Sequence, residues 1–232
     1  MFLPSAILTL AALSLSADVL AQGSSPTSSS STGKHVTKPA ATAETGIDSG
    51  TVTNGVYTNK TLALSCKIPP GWVLRTDEMN AREEEKEEKK VAETSAQTPA
   101  AAASSAGAKV LLAAFSRPPE AHGEDINASI VIAAESVSSY PGLKDAAQYF
   151  FPLTEVAKAQ GFTADEDPYA IAIGTKTLVR GDFHKDRGTR VMRQSTLAML
   201  SHGYAISITI IGGTDDEVED LVDGLTFTAG RN

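Results

Sequence analysis

Between residues 187 and 225 the chain passes through a long strand pattern, a tight turn, a second strand pattern and a capped helix with almost no residues to spare. In the second strand Tyr204, Ile206, Ile208 and Ile210 fall on one side and Ala205, Ser207, Thr209 and Ile211 on the other. That is the two-residue period of a strand with one strongly apolar face. Ahead of it, residues 191–200 are mixed at first and apolar later, and Ser201-His202-Gly203 is short enough to close an antiparallel hairpin. After Gly212-Gly213, Thr214 can cap a helix while Glu217 returns to the cap's own amide, and Asp215 and Asp216 suit the positive end of the helix dipole. Val218, Leu221, Val222 and Leu225 then form one apolar stripe that must pack on the sheet, with Glu219, Asp220 and Asp223 facing water.

The remaining elements follow the same logic. Leu62, Leu64, Cys66 and Ile68 alternate as a strand ended by Pro69-Pro70-Gly71, after which Trp72 folds back over the core edge. Further strands are expected at 109–115, 126–134, 169–174 and 177–183. Leu143, Ala146, Ala147, Phe150, Leu153 and Ala157 keep helical spacing up to Gln160, with Gly161 as the stop. Pro152 lacks a backbone donor and crowds the preceding turn, which predicts a kink or two short helices meeting at Phe151. Strand connections this short require antiparallel pairing. The expected class is α+β, one largely antiparallel sheet with helices against its faces.

The 28 Asp and Glu outnumber and interleave with the 20 Lys and Arg, giving a net charge of -8. This argues against nucleic acid and against an anionic membrane surface as partners. Residues 1–21 read as an export signal, with an apolar run at 6–15 too short to span a bilayer and small residues before Gln22. After cleavage no stable membrane insertion is expected, and the protein would be periplasmic or extracellular. Residues 22–53 are rich in Ser, Thr and Ala and read as a disordered tether, followed by a folded domain at 54–228. A charged and Ala-rich insert at about 77–108 interrupts that domain, and its helical part is polar all round, as a solvated helix would be. The one cysteine, Cys66, excludes an intrachain disulfide and shares a strand face with apolar neighbours, so it reads as a core thiol.

Chemistry-bearing patterns are sparse. There is no Gly-x-Ser-x-Gly elbow and no phosphate-cradling glycine loop with its lysine. Asp182, His184 and Asp186 form one polar cluster, in which the first two share a strand face; His122, Glu124 and Asp125 form another. Imidazole with carboxylate could orient a base or hold zinc or nickel, but two ligands do not complete a site. No catalytic residue, metal or cofactor is assigned. Asp182, His184, Arg190 and Gln194 are instead expected to share a polar sheet surface left uncovered by helices, a candidate interaction surface.

Gly55-Val56-Tyr57, Leu62-Ala63-Leu64 leading to Ile68-Pro69-Pro70-Gly71-Trp72, and Gly203-Tyr204-Ala205-Ile206-Ser207-Ile208 with Glu217, Leu221 and Leu225 after it resemble the PsbP-like superfamily over residues 54–227. The resemblance implies an α/β/α sandwich around an antiparallel sheet and a non-enzymatic role in binding or assembling larger complexes. No family binding residue transfers by position, and the insert after Trp72 departs from the family pattern. The expected function is an exported binding or assembly factor with a protein partner in the envelope. The alternative is a periplasmic hydrolase or metal-dependent enzyme using the Asp182 and His184 region.

Overall fold

A computed structural model describes residues 46–94, 108–121, 123 and 125–229. The expected export signal, most of the tether, the Ala-rich part of the insert, and His122 and Glu124 lie outside the described residues. In chain order the elements are β1 (Thr51–Thr53), β2 (Val56–Asn59), β3 (Leu64–Lys67), β4 (Val73–Leu74), α1 (Thr76–Thr94), β5 (Lys109–Phe115) and β6 (Ser129–Ser136). There follow α2 (Ala146–Ala159), β7 (Thr163–Ala164), β8 (Tyr169–Ile173), β9 (Lys176–Arg187), β10 (Arg190–Ser201), β11 (Tyr204–Gly212), α3 (Asp215–Asp223) and β12 (Leu225–Phe227). Every strand pair is antiparallel. A four-stranded sheet runs β1-β2-β3-β12, and an eight-stranded sheet runs β4-β5-β6-β11-β10-β9-β7 with β8 also on β9.

The expected hairpin is the spine of the large sheet. Ser201 pairs with Tyr204 and the register holds to Arg193 opposite Gly212. His202 and Gly203 both take positive φ, 52° and 79°, the conformation of a two-residue turn that follows the strand twist. Ile206, Ile208 and Ile210 point into the main core together with Ile130, Ile132, Leu197 and Met199. The cover on that side comes from Tyr57, Leu62, Leu64 and Cys66 of the small-sheet region, from Phe227, and from Val218, Leu221 and Val222 of α3.

The other face of the large sheet meets α2 and α1. Tyr149, Phe150 and Ala157 of α2 pack with Phe183, Ala198 and Ala205. Gly181 is required beneath α2, since a Cβ there would lie 2.6 Å from the Phe150 ring. Met79 of α1 packs on Val110, Ala113 and Val131. Asn80 of the same helix binds the edge of β5 as a strand would, accepting from Val110 N at 2.8 Å and donating to Val110 O at 2.9 Å. Thr76 Oγ1 accepts from Ala113 N at 3.0 Å, so two side chains one helical turn apart cover the sheet edge beyond β4.

The architecture corrects the expectation of an α+β chain folded as an α/β/α sandwich. Among the described residues twelve strands in two sheets dominate over three α-helices. The layer that such a sandwich would give to helices is occupied largely by the small sheet, because the short strands around 51–67 pair with one another and with β12 rather than joining the large sheet. Three local expectations also change. The folded part reaches upstream of Asn54: Ile47 is buried, and its N–H donates to Tyr204 Oη at 3.3 Å. Of the two outcomes expected at Pro152, separate helices are not formed: α2 runs through it as one element, starting from Asp145, whose carboxylate accepts from Gln148 N at 2.9 Å. Leu225 leaves the α3 stripe to open β12, because Gly224 caps the helix where it packs closely on Lys67 of β3.

Candidate functional site

The four residues expected to share one polar surface are divided between the two faces of the large sheet. Across β9 and β10, Asp182 stands opposite Ser195 and His184 opposite Arg193, while Gln194 stands opposite Phe183 and Arg190 opposite Arg187. Gln194 is thereby turned beneath α2 and buried, donating from Nε2 to Thr196 Oγ1 at 3.1 Å. Arg190, near the hairpin end, pairs with Asp125. The expectation of a shared surface fails on strand parity: residues 190 and 194 are in phase with 183 and 185, not with 182 and 184.

Asp182 and His184 do share a face, and each belongs to its own ion-pair cluster. Asp182 accepts from Arg180 Nε at 3.0 Å and from Tyr169 Oη at 2.8 Å. Arg180 also reaches Glu219 of α3, its Nη1 donating to Oε2 at 3.0 Å. Burial alone would lower the Arg180 pKa, but the carboxylates of Glu219 and Asp182 outweigh it and hold the guanidinium above its ordinary value. Burial, then the hydrogen bond to Asp182, pushes the Tyr169 hydroxyl up to about 12. His184 donates from Nδ1 to Asp165, and Arg193 links that cluster to α3 through Asp215 at 3.2 Å. Among the described residues no three His, Cys, Asp or Glu side chains converge as a metal site. Cys66 is fully buried, and desolvation pushes its thiol up to about 12, away from thiolate chemistry.

An open, solvent-facing concavity lies at the Pro69-Pro70-Gly71-Trp72 segment. Ile68 N donates to Gly55 O at 2.7 Å and Lys67 N to Gly224 O at 3.0 Å, which ties the β1–β2 turn and the end of α3 to the two sides of β3. Gly71, at φ 83°, turns the chain so that Trp72 packs against the core edge. Between these parts is an open cleft of about 800 Å³ with Val52, Val56, Ile68, Pro70, Trp72 and Leu74 on its walls. Val52 and Leu74 are 39% and 43% exposed, more than apolar side chains of this size usually are in a strand. Asp220, Asp223 and Lys67 supply its charged lining, two carboxylates against one ammonium, and neither aspartate has an ion-pair partner among the described residues. Sequence reasoning placed Trp72 at the core edge and both aspartates on the wet side of α3, but nothing in their spacing joined them.

No protein-family model matches the chain, and no characterised protein sequence matches it. Among solved structures, a protein of unknown function from Pseudomonas aeruginosa, PA94, is 21% identical over 44% of this chain and 68% of its own, with a TM-score of 0.31. LpqN, involved in cell envelope biogenesis of Mycobacterium tuberculosis, is 13% identical over 72% of this chain and 83% of its own, with a TM-score of 0.32. Membership of the PsbP-like superfamily is not shown by these comparisons. Among the described residues no helix is long and apolar enough to cross a membrane, which says nothing of a β-barrel.

Proposed function

We propose that this chain is a non-enzymatic binding or assembly factor that docks an extended segment of a partner protein in the cleft beside Trp72. The observation that carries the reading is the pairing of apolar walls with two aspartates that have no ion-pair partner among the described residues and outnumber the one lining lysine, Lys67, in an open cleft about 800 Å³ in volume. Such a lining favours a segment with aliphatic or proline side chains flanked by Lys or Arg. The net charge of -8 reinforces the preference for a basic partner. The export signal expected over residues 1–21 supports a partner in the envelope or outside the cell.

The test is selection from a library of random twelve-residue peptides. The protein should enrich sequences that combine Pro, Val or Leu with Lys or Arg. Asp220→Lys with Asp223→Lys should weaken the selected peptides at least tenfold, and raised salt should weaken them in the native protein. Enrichment without basic residues, or binding indifferent to both aspartates and to Trp72→Ala, would sink the reading.

A further inference from the structure

Beneath α2 three adjoining strands carry small or polar side chains where a helix-covered sheet face ordinarily carries Val, Ile or Leu. Register aligns Ala133 of β6, Ser207 of β11 and Ala198 of β10 in one row, and Val131, Thr209 and Thr196 in the next. These residues do not fill the space under the helix. A cavity of about 50 Å³ remains, roofed by Leu153, Val156 and Ala157. That is room for a group of a few heavy atoms.

Glu135 opens onto this cavity although it is only 5% exposed. Tyr149 Oη donates to its Oε1 at 2.8 Å and Tyr140 Oη to its Oε2. Among the described residues no Lys, Arg or His pairs with it. A buried carboxylate is ordinarily matched by a cation, because two neutral hydrogen bonds do not replace its lost hydration. A carboxylate oxygen has a second acceptor direction beyond the one each tyrosine uses. The polar floor is therefore arranged around a carboxylate with an adjoining space and, among the described residues, no cation beside it.

We propose that this cavity binds a small primary ammonium group, which ion-pairs with Glu135 while its first carbons lie against Val131, Ala133 and Val156. The site is on the opposite face of the large sheet from the main core, and its ligand is independent of any segment docked beside Trp72.

The test uses the full chain at pH 7.5 with ethylammonium chloride as probe, against ethanol as the neutral isostere and potassium chloride as the salt control. Ethylammonium should raise the melting temperature in a saturable way and bind by calorimetry, and the two controls should not. Glu135→Gln should weaken binding at least tenfold. Ala133→Val fills the cavity without touching the carboxylate, and should abolish binding. No saturable shift with ethylammonium, an equal shift with ethanol, or undiminished binding by either variant would overturn the proposal.

Discussion

Glu135 links the cavity to the pH response of the fold. Burial raises its carboxyl above the ordinary 4.5, against the opposing hydrogen bonds from Tyr140 and Tyr149. A group raised on folding contributes stability that is full below its unfolded pKa and lost as pH climbs through the folded value. Ionising this carboxyl is thus a cost to the native state that grows as pH rises. Glu135→Gln, which keeps the shape and removes the charge, should melt about 3 °C above the native protein at pH 7. The gap should close as pH falls toward 4, and scanning calorimetry across that range checks it; a gap that stays constant with pH would assign the effect to packing. The stretch around Glu135 reads only as an apolar strand ending in polar residues. That two tyrosines from the following turn and helix converge on it is a tertiary fact with no periodic signature, whereas the burial of Cys66 followed directly from its phase with Leu62 and Leu64.

At the scale of elements, periodicity and turn chemistry carried most of the reading. The β10–β11 hairpin, its His202-Gly203 turn and the Thr214 cap accepting from Glu217 N at 3.1 Å all lay in local sequence. The helix of α1 was legible too, as a solvated one; its docking on β5 was not, because it rests on Met79 and two polar side chains rather than on an apolar stripe. Val110 is fully buried, and Asn80 supplies hydrogen bonds to its N–H and its C=O. Asn80→Ala leaves both groups unmatched in a place water reaches poorly, so it should destabilise the fold by roughly 1–3 kcal/mol. Urea unfolding measures this, and Asn80→Asp should recover part of the loss, since it restores the acceptor for Val110 N but not the donor. An equal loss in both variants would mean that the donor bond to Val110 O dominates.

At the scale of the whole molecule the error lay in which surfaces meet. Alternation identifies a strand and its apolar face, but the sheet a strand joins depends on pairing between distant segments, and β12 joins β3 across more than half the chain. The two sheets are joined at their ends: Thr175 N, in the β8–β9 turn, donates to Phe227 O of β12 at 3.2 Å. Arg180 is the second fastening, because it stands on β9 of the large sheet and reaches Glu219 on α3, which covers that sheet beside the small one. The arginine is buried and Asp182 is partly shielded, 22% exposed, whereas the Glu219 side chain is half exposed. The two halves of this clamp should therefore differ in strength. Arg180→Ala removes a buried guanidinium from two carboxylates and leaves the partly shielded Asp182 without its cation, which should cost on the order of 2 kcal/mol. Glu219→Ala removes only a solvent-screened arm and should cost less than about 1 kcal/mol. Chemical unfolding of the two variants and their double mutant checks this, with raised salt reducing the Glu219 effect and leaving most of the Arg180 effect in place. Equal losses at Arg180 and Glu219 would show instead that the clamp's strength lies in the contact with α3, and that the helix, rather than the Asp182 side, is what the guanidinium holds.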